Sequence, residues 1–368
     1  MRNLHLFLWI VLFSGLSVSL HSQQLMGPAP VLMQWIPVDA GLVVPLRGIS
    51  LAANGDIWVS GASGQYAVSS DSGTSWRSGR MPDGGSLDFR DVHAFGDTVY
   101  LMSAGNGELS RIYQSTDRGE NWALQLTCPH PEGFFSSMDF WDARNGIVFS
   151  DPVDGKFVIY RTSDAGQTWL EVPRIQIPPA QEGEYAFAAS GSCLIAGAEG
   201  RAWIASGGTA ARVFFSADSG RNWEVSDTPV MSGTPSSGIF SLAFRDALNG
   251  IAVGGDFRQP DSANHNAART NDGGRTWQPL ADSAAMTYRS CVIYLQVGER
   301  TALVASGASG CSYSFDEGES WAPFSAEGYY TLAVGPFGDC WAAGSEGRIA
   351  RLKINLPSPE ESLPEQDE

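Results

Sequence analysis

Three observations in the 368-residue sequence predict an all-β fold, a seven-bladed β-propeller whose ring is closed by an N-terminal strand. One octet, Ser/Thr-x-Asp-x-Gly-x-x-Trp, occurs six times, with its aspartates at Asp71, Asp117, Asp164, Asp218, Asp272 and Asp316. The gaps between them, 46, 47, 54, 54 and 44 residues, suit a four-stranded blade. Between the octets run short β-rich stretches led by turn signals, such as Gly55 to Ser60, Asp97 to Met102 and Asn249 to Gly254, and long helical periodicity is absent.

Each octet reads as the turn between the third and fourth strands of a blade. Asp and Ser/Thr side chains bond nearby backbone amides, and Gly supplies the positive φ of a tight turn. The tryptophan then leads into the fourth strand, where its ring is buried between blades and its N–H needs a partner. The two ends complete the count. After Trp321 come the runs Tyr329 to Gly344 and Gly347 to Leu352, but no seventh octet. The missing fourth strand is expected from Gln34 to Val38, centred on Trp35, which protects edges that would otherwise pair with other chains. The count is seven blades, or six if one end is misassigned.

Residues 1–22 read as a cleaved export signal: Arg2, an apolar stretch from Leu4 to Leu20, then Ser22. An uncleaved anchor is the alternative, although 17 residues interrupted by Ser and Gly are short for a span. The propeller is assigned to residues 23–355, and residues 356–368 to a disordered acidic tail. A periplasmic or secreted monomer is expected, with no stable membrane span after cleavage. The net charge of −17 argues against nucleic acid as a partner, because no basic footprint is present to neutralise phosphates. Five cysteines, Cys128, Cys193, Cys291, Cys311 and Cys340, leave at least one unpaired and show no regular framework.

No motif announces catalysis. Three histidines follow the signal, His93, His130 and His265, none in a metal-binding spacing, and there is no nucleophile elbow or P-loop. No metal, cofactor or catalytic residue is assigned, and His93 reads as a structural residue. The innermost strands say more. Aligned on their apolar residues they begin at Arg47, Arg90, Ser136, Phe187, Phe240, Arg289 and Tyr330, so arginine heads blades 1, 2 and 6. In a seven-membered ring these blades are near neighbours. The candidate ligand-binding set is Arg47, Arg90 and Arg289 with Tyr288 and Tyr330, holding an anionic group at the channel mouth, because guanidinium forks match carboxylate, sulfate or phosphate. Alternatively the arginines pair with local acids, Asp88, Asp91, Glu182 and Glu184 being at hand. The long polar loop Gly255 to Asn266 and the linker Pro173 to Glu184 are expected on the same face.

The octet resembles the Asp-box, or bacterial neuraminidase repeat, found in sialidases, sortilin-like receptors and photosystem II assembly factors. Sialidases hold a substrate carboxylate with an arginine triad, and Arg47 resembles its first member. The Arg-Ile-Pro signature is absent, however, and sialidases have six blades; Tyr288, Tyr330 and Glu184 fill the catalytic roles only by force. The chain is more similar to the seven-bladed photosystem II assembly factor type and its relatives in non-photosynthetic bacteria. That resemblance rests on runs such as Leu46 to Ser50, Leu87 to Val92, Met138 to Gly146, Gly238 to Ala247 and Gly347 to Leu352. It implies a non-catalytic binding role in which an arginine patch engages a protein or pigment partner. Taken with the channel-mouth residues, the expectation is a binding or assembly module that grips an anionic protein surface, or a small anionic or carbohydrate ligand. Sialidase-like glycoside hydrolysis, or a loosely labelled oxidoreductase activity, is the alternative.

Overall fold

The computed structural model describes residues 32–82, 84–281 and 286–356. The expected export signal, residues 1–22, and the acidic tail from Pro357 onward lie outside the described residues. Seven antiparallel sheets form the body, each led by one innermost strand: Leu46–Leu51, Asp88–Phe95, Phe135–Phe140, Leu194–Ala196, Ser237–Phe244, Cys291–Val297 and Thr331–Val334. These define blades 1 to 7. Six are four-stranded, and the fifth carries two additional short strands, Glu184–Tyr185 and Gly207–Gly208. Only 3-10 turns interrupt the strands, and among the described residues no helix is long and apolar enough to cross a membrane.

The octets fold as local chemistry dictates. In the first, Ser69 Oγ donates to Asp71 Oδ1 at 2.9 Å and accepts the Gly73 N–H at 2.8 Å, while Asp71 accepts the Ser75 N–H at 2.8 Å and its hydroxyl at 2.6 Å. Two consecutive residues take left-handed backbone, Ser72 at φ 57° and Gly73 at φ 84°, so the glycine relieves a steric cost at the second of them. Three donors on one carboxylate favour its charged form and lower the Asp71 pKa, led by the Ser75 hydroxyl. The tryptophan stands just before the fourth strand. Trp76, Trp223 and Trp277 return their N–H to the carbonyl of the octet glycine, at 3.2, 3.0 and 3.2 Å. Trp76 meets Trp341 of blade 7 edge-on, and Trp122 meets Trp58 of blade 1 in the same way, with centroids 6.4 and 6.3 Å apart. These rings therefore fasten each blade to its predecessor.

The ring closes by a shared sheet. Leu32–Val38 pairs antiparallel with Ile349–Asn355 along its whole length. Trp35, within that strand, packs on Tyr329 at 5.2 Å and donates its N–H to Cys311 Sγ at 3.3 Å. All five cysteines are free thiols and buried.

Four innermost strands share an irregularity that positions the functional face. Their ladders shift register between Leu46 and Gly48, Phe89 and Asp91, Phe135 and Ser137, and Ile239 and Ser241. The extra residues of these bulges are Arg47, Arg90, Ser136 and Phe240. A bulge re-aims its extra side chain out of the alternating pleat.

Candidate functional site

The structure brings together four of the five side chains expected at the channel mouth. The Arg47 guanidinium lies over the Tyr330 ring, 4.4 Å from its centroid, and donates to the Ala189 carbonyl at 3.5 Å. Burial lowers its pKa first and neighbouring Arg90 second, while Tyr330, Asp88 and Tyr288 oppose the shift. Arg90 donates to Asp88 at 2.8 Å and to the Ala188 carbonyl at 3.3 Å. Tyr288 is buried edge-on against Phe240, centroids 4.9 Å apart. Arg47 has no ion-pair partner among the described residues, so one cation of the cluster is stacked on a ring with no carboxylate in direct contact.

Arg289 is not part of this cluster, which corrects the expected triad. Its side chain is 3% exposed and enters the wall of blade 6, donating to Thr287 Oγ1 at 2.8 Å, the Tyr288 carbonyl at 3.0 Å and Ser312 Oγ at 3.0 Å. Burial lowers its pKa to about 10. The cause is a one-residue difference in register. The blade 6 ladder begins at Cys291 without a bulge, and the residue that matches Arg47 there is Ser290, whose N–H bonds Ser306 as that of Tyr330 bonds Ala343. Arg289 therefore stands where the other blades place Leu46, Phe89, Phe135, Ile239 and Tyr329, all buried. Successive extended residues face opposite ways, so Tyr288 reaches the mouth and Arg289 cannot.

The acids divide similarly. Asp88 serves Arg90, but Asp91 turns inward, accepting the N–H groups of Met138 and Val92 at 2.9 Å each, and burial raises its pKa. Glu184, in an added strand of the blade 5 sheet, is enclosed against blade 4, where it accepts from Arg212 Nε at 2.9 Å and is unavailable to the mouth. His93 lies between Phe95 and Phe140, 3.5 Å from Asp139, and burial lowers its pKa to about 4.

The sequence alignment also misplaced blade 4. Its innermost strand is Leu194–Ala196, not the run from Phe187. Ala188 to Ser192 instead fills the channel, and the five consecutive carbonyls are met by five different blades. Ala188 accepts from Arg90, Ala189 from Arg47, Ser190 from Thr331 Oγ1 at 2.9 Å, Gly191 from Ser137 Oγ at 2.6 Å, and Ser192 from the Leu242 N–H at 2.9 Å. Ser192 Oγ also contacts Ser241 Oγ at 2.7 Å and Cys291 of blade 6 at 3.6 Å. Backbone withdrawn from water needs such partners, and small side chains let it pass between seven sheets. The run Ala-Ala-Ser-Gly-Ser was the available signal, set where other blades carry bulkier residues. The mouth is thus a floored surface: Arg47 and Arg90 hold the floor from above while their stacked faces remain part of the rim.

Beside the floor lies an aromatic ledge that the residue alignment missed. Phe187 stacks on Phe240 at 3.8 Å and 9°, and Phe257 meets both rings at 6.3 and 6.2 Å. Phe257 is 44% exposed and comes from the long loop after Gly255, which reaches this face; Arg258 follows it, also exposed. The ledge continues through Phe240 and Tyr288 to Arg47. Among the described residues no group of three or more acidic, histidine or cysteine side chains is arranged to hold a metal.

A closed seven-sheet ring with a floored channel and an arginine-aromatic rim defines a β-propeller that presents a surface, not a deep cleft. The chain belongs to the family of the DUF6242 beta propeller domain, which it matches over residues 46–251. Among solved structures it is similar to one described as YCF48 bound to D1 peptide, at 15% identity over 86% of this chain and 96% of that chain, with a TM-score of 0.61. YCF48 from Cyanidioschyzon merolae gives 15% identity, 86% and 98% coverage and the same TM-score. A streptogramin B lyase structure gives 12% identity, 88% and 98% coverage and a TM-score of 0.62. A search of curated proteins finds no match. At these identities the likeness establishes the fold, which serves a binding protein and a lyase alike.

Proposed function

We propose that the protein is an exported, non-catalytic binding or assembly module that grips an anionic protein surface at the rim formed by Arg47, Arg90, Tyr288 and Tyr330. One observation carries this reading: Arg47 is held by stacking on Tyr330, next to a second arginine, without an acid of its own. An incoming carboxylate would gain charge-assisted hydrogen bonds without displacing an internal salt bridge. The exposed Phe257 and Arg258 supply the apolar and cationic flank that a protein partner uses as an anchor. The fold likeness to YCF48, of which one structure holds a D1 peptide, supports a protein in preference to a small ligand. Glu184, the acid open to a glycosidase role, is taken by Arg212.

The test is affinity capture from envelope extracts with the wild-type chain and the Arg47→Ala/Arg90→Ala double variant, followed by mass spectrometry. A stoichiometric partner retained only by wild type is expected. Equal retention by both would remove the arginine rim from the interface, and turnover of fluorogenic sialosides would replace the module with an enzyme.

A further inference from the structure

The repeats provide an internal control that exposes a second site, on the blade margins away from the mouth. In the octets of blades 4, 5 and 6 the residue three after the aspartate, Arg221, Arg275 or Glu319, lies against the preceding blade. It meets there the third-strand residue just before the preceding octet's Ser or Thr. Between blades 5 and 6 these positions hold Arg269 and Glu319, which form an ion pair. Between blades 4 and 5 they hold Phe215 and Arg275, with the guanidinium 4.9 Å from the ring centroid. Between blades 3 and 4 they hold Arg161 and Arg221. Two of the three interfaces are complementary, and the third opposes two cations.

No ion pair among the described residues neutralises either arginine, although the charge of Asp218 acts on Arg161 from a distance. Arg161 makes no hydrogen bond or ion pair among the described residues, and its Nε is buried without a partner. Arg221 donates only to the Asp218 carbonyl of its own octet, at 2.8 Å. The nearest acids are engaged elsewhere: Asp218 accepts from Ser216 and Asn222, and Glu171 contacts His130 at 3.1 Å and Arg174 at 3.9 Å. Burial, and then Arg221, lower the Arg161 pKa against the opposing charge of Asp218, so the charged form is held at a net cost. The two arginines line a cavity of about 280 Å³ with Ser163 and Gln176, whose side chains make no hydrogen bond among the described residues, and with Glu171, whose carboxylate is turned to His130 and Arg174. In a chain of net charge −17, a half-open recess with two facing guanidiniums and two unused neutral donors is a feature that composition does not supply.

We propose that this cavity binds a compact oxyanion, sulfate or phosphate, free or as the head of a monoester. It would be clamped between Arg161 and Arg221, with Ser163 and Gln176 as neutral donors. Two guanidinium forks facing one centre provide the multidentate charge-assisted geometry such a group requires. The ligand replaces the carboxylate that Glu319 contributes at the equivalent place two blades on.

Isothermal titration at constant ionic strength, with inorganic sulfate, inorganic phosphate, glucose 6-sulfate and glucose 6-phosphate as probes, tests the site. Saturable one-site binding of at least one probe is expected, and esters binding where free ions do not would identify the source as a monoester. Arg161→Gln should weaken binding at least about tenfold. Arg221→Glu should abolish it and raise the melting temperature without any probe, because it recreates the pair found between blades 5 and 6. Arg275→Glu, at the same octet position one blade on, should leave affinity within about twofold. Absence of saturable binding by all four probes, or unchanged affinity in both Arg161→Gln and Arg221→Glu, overturns the proposal.

Discussion

Blades 1 and 6 each place an arginine at the head of the innermost strand, and the two side chains end in different surroundings. In blade 1 the ladder bulges between Leu46 and Gly48, and the extra residue, Arg47, swings to the rim and stacks on Tyr330. In blade 6 the ladder runs straight, and Arg289 occupies the position of Leu46, inside the wall. One residue of register thus separates a cation presented to partners from a cation built into the scaffold. The two should respond oppositely to substitution.

The largest effect is expected at Arg289. Replacement by Ala removes at least three hydrogen bonds and leaves an unfilled space in the blade wall, for a loss of about 2–4 kcal/mol. Arg289→Leu should cost less, because leucine is the side chain that blade 1 packs at the matching position. Urea unfolding midpoints measure both. An Arg289→Ala chain as stable as wild type would show that the side chain is not structural. At the rim the ranking reverses: Arg47→Ala/Arg90→Ala should change stability by less than about 1 kcal/mol but weaken retention of the captured partner by about a hundredfold, or about 2.7 kcal/mol. Titration of the purified pair checks this, and a large stability loss instead would place Arg47 with the scaffold.

A smaller effect should follow from loosening the floor that Arg47 and Arg90 hold and Arg289 does not touch. Gly191 lies at φ +71°, and a Cβ there would come within 2.5 Å of Asp91 Oδ1. Gly191→Ala should therefore cost about 2 kcal/mol, combining left-handed backbone strain with displacement of a buried carboxyl. Hydrogen exchange should quicken at Leu242, whose N–H bonds Ser192, while the Ser290 amide in blade 6 keeps its protection. Uniform loss of protection would mean that the floor is no separate unit.

The parts of this architecture that were legible in the sequence are those fixed by neighbours along the chain. The octets spell out their own turn, because it is closed by side-chain hydrogen bonds among Ser69, Asp71, Gly73 and Ser75, all within one octet, and their spacing then yields the blades. Arg47, Arg90 and Tyr330 could be placed by strand alignment, since each heads a strand with strong apolar marking. What failed depended on contacts across the ring or on register. The Ala188 to Ser192 floor is defined by carbonyl partners in five other blades, none near it in sequence. Bulges leave no composition signal, so Arg47 and Arg289 look alike until the ladders are drawn. Glu184 is committed by Arg212, 28 residues away, in a strand whose arginine carried no local hint of it.

The smallest effect expected is a pH dependence at the approach to the floor. Asp151 accepts the Ala186 N–H at 2.9 Å and Ser136 Oγ at 3.2 Å, and burial raises its pKa to about 7. In the unfolded chain the same carboxyl titrates near pH 3.9, as aspartate ordinarily does. Between about pH 4 and 7 the native state therefore binds the extra proton, and stability from this group rises as pH falls through 7 toward 4. His93 acts in the other direction over a similar range, since its folded pKa of about 4 leaves the unfolded chain with more protons. Asp151→Asn removes one contribution and leaves the other, while its amide oxygen still accepts from Ala186. Because Asp151 keeps part of its surface in water, the effect should be only of the order of 1 kcal/mol. Relative to wild type, the variant should gain stability at pH 8 and lose that advantage at pH 5, in paired urea titrations. A difference that is flat across this interval would show that Asp151 is ionised throughout, and that the floor is anchored by a charge and not by a protonated acid.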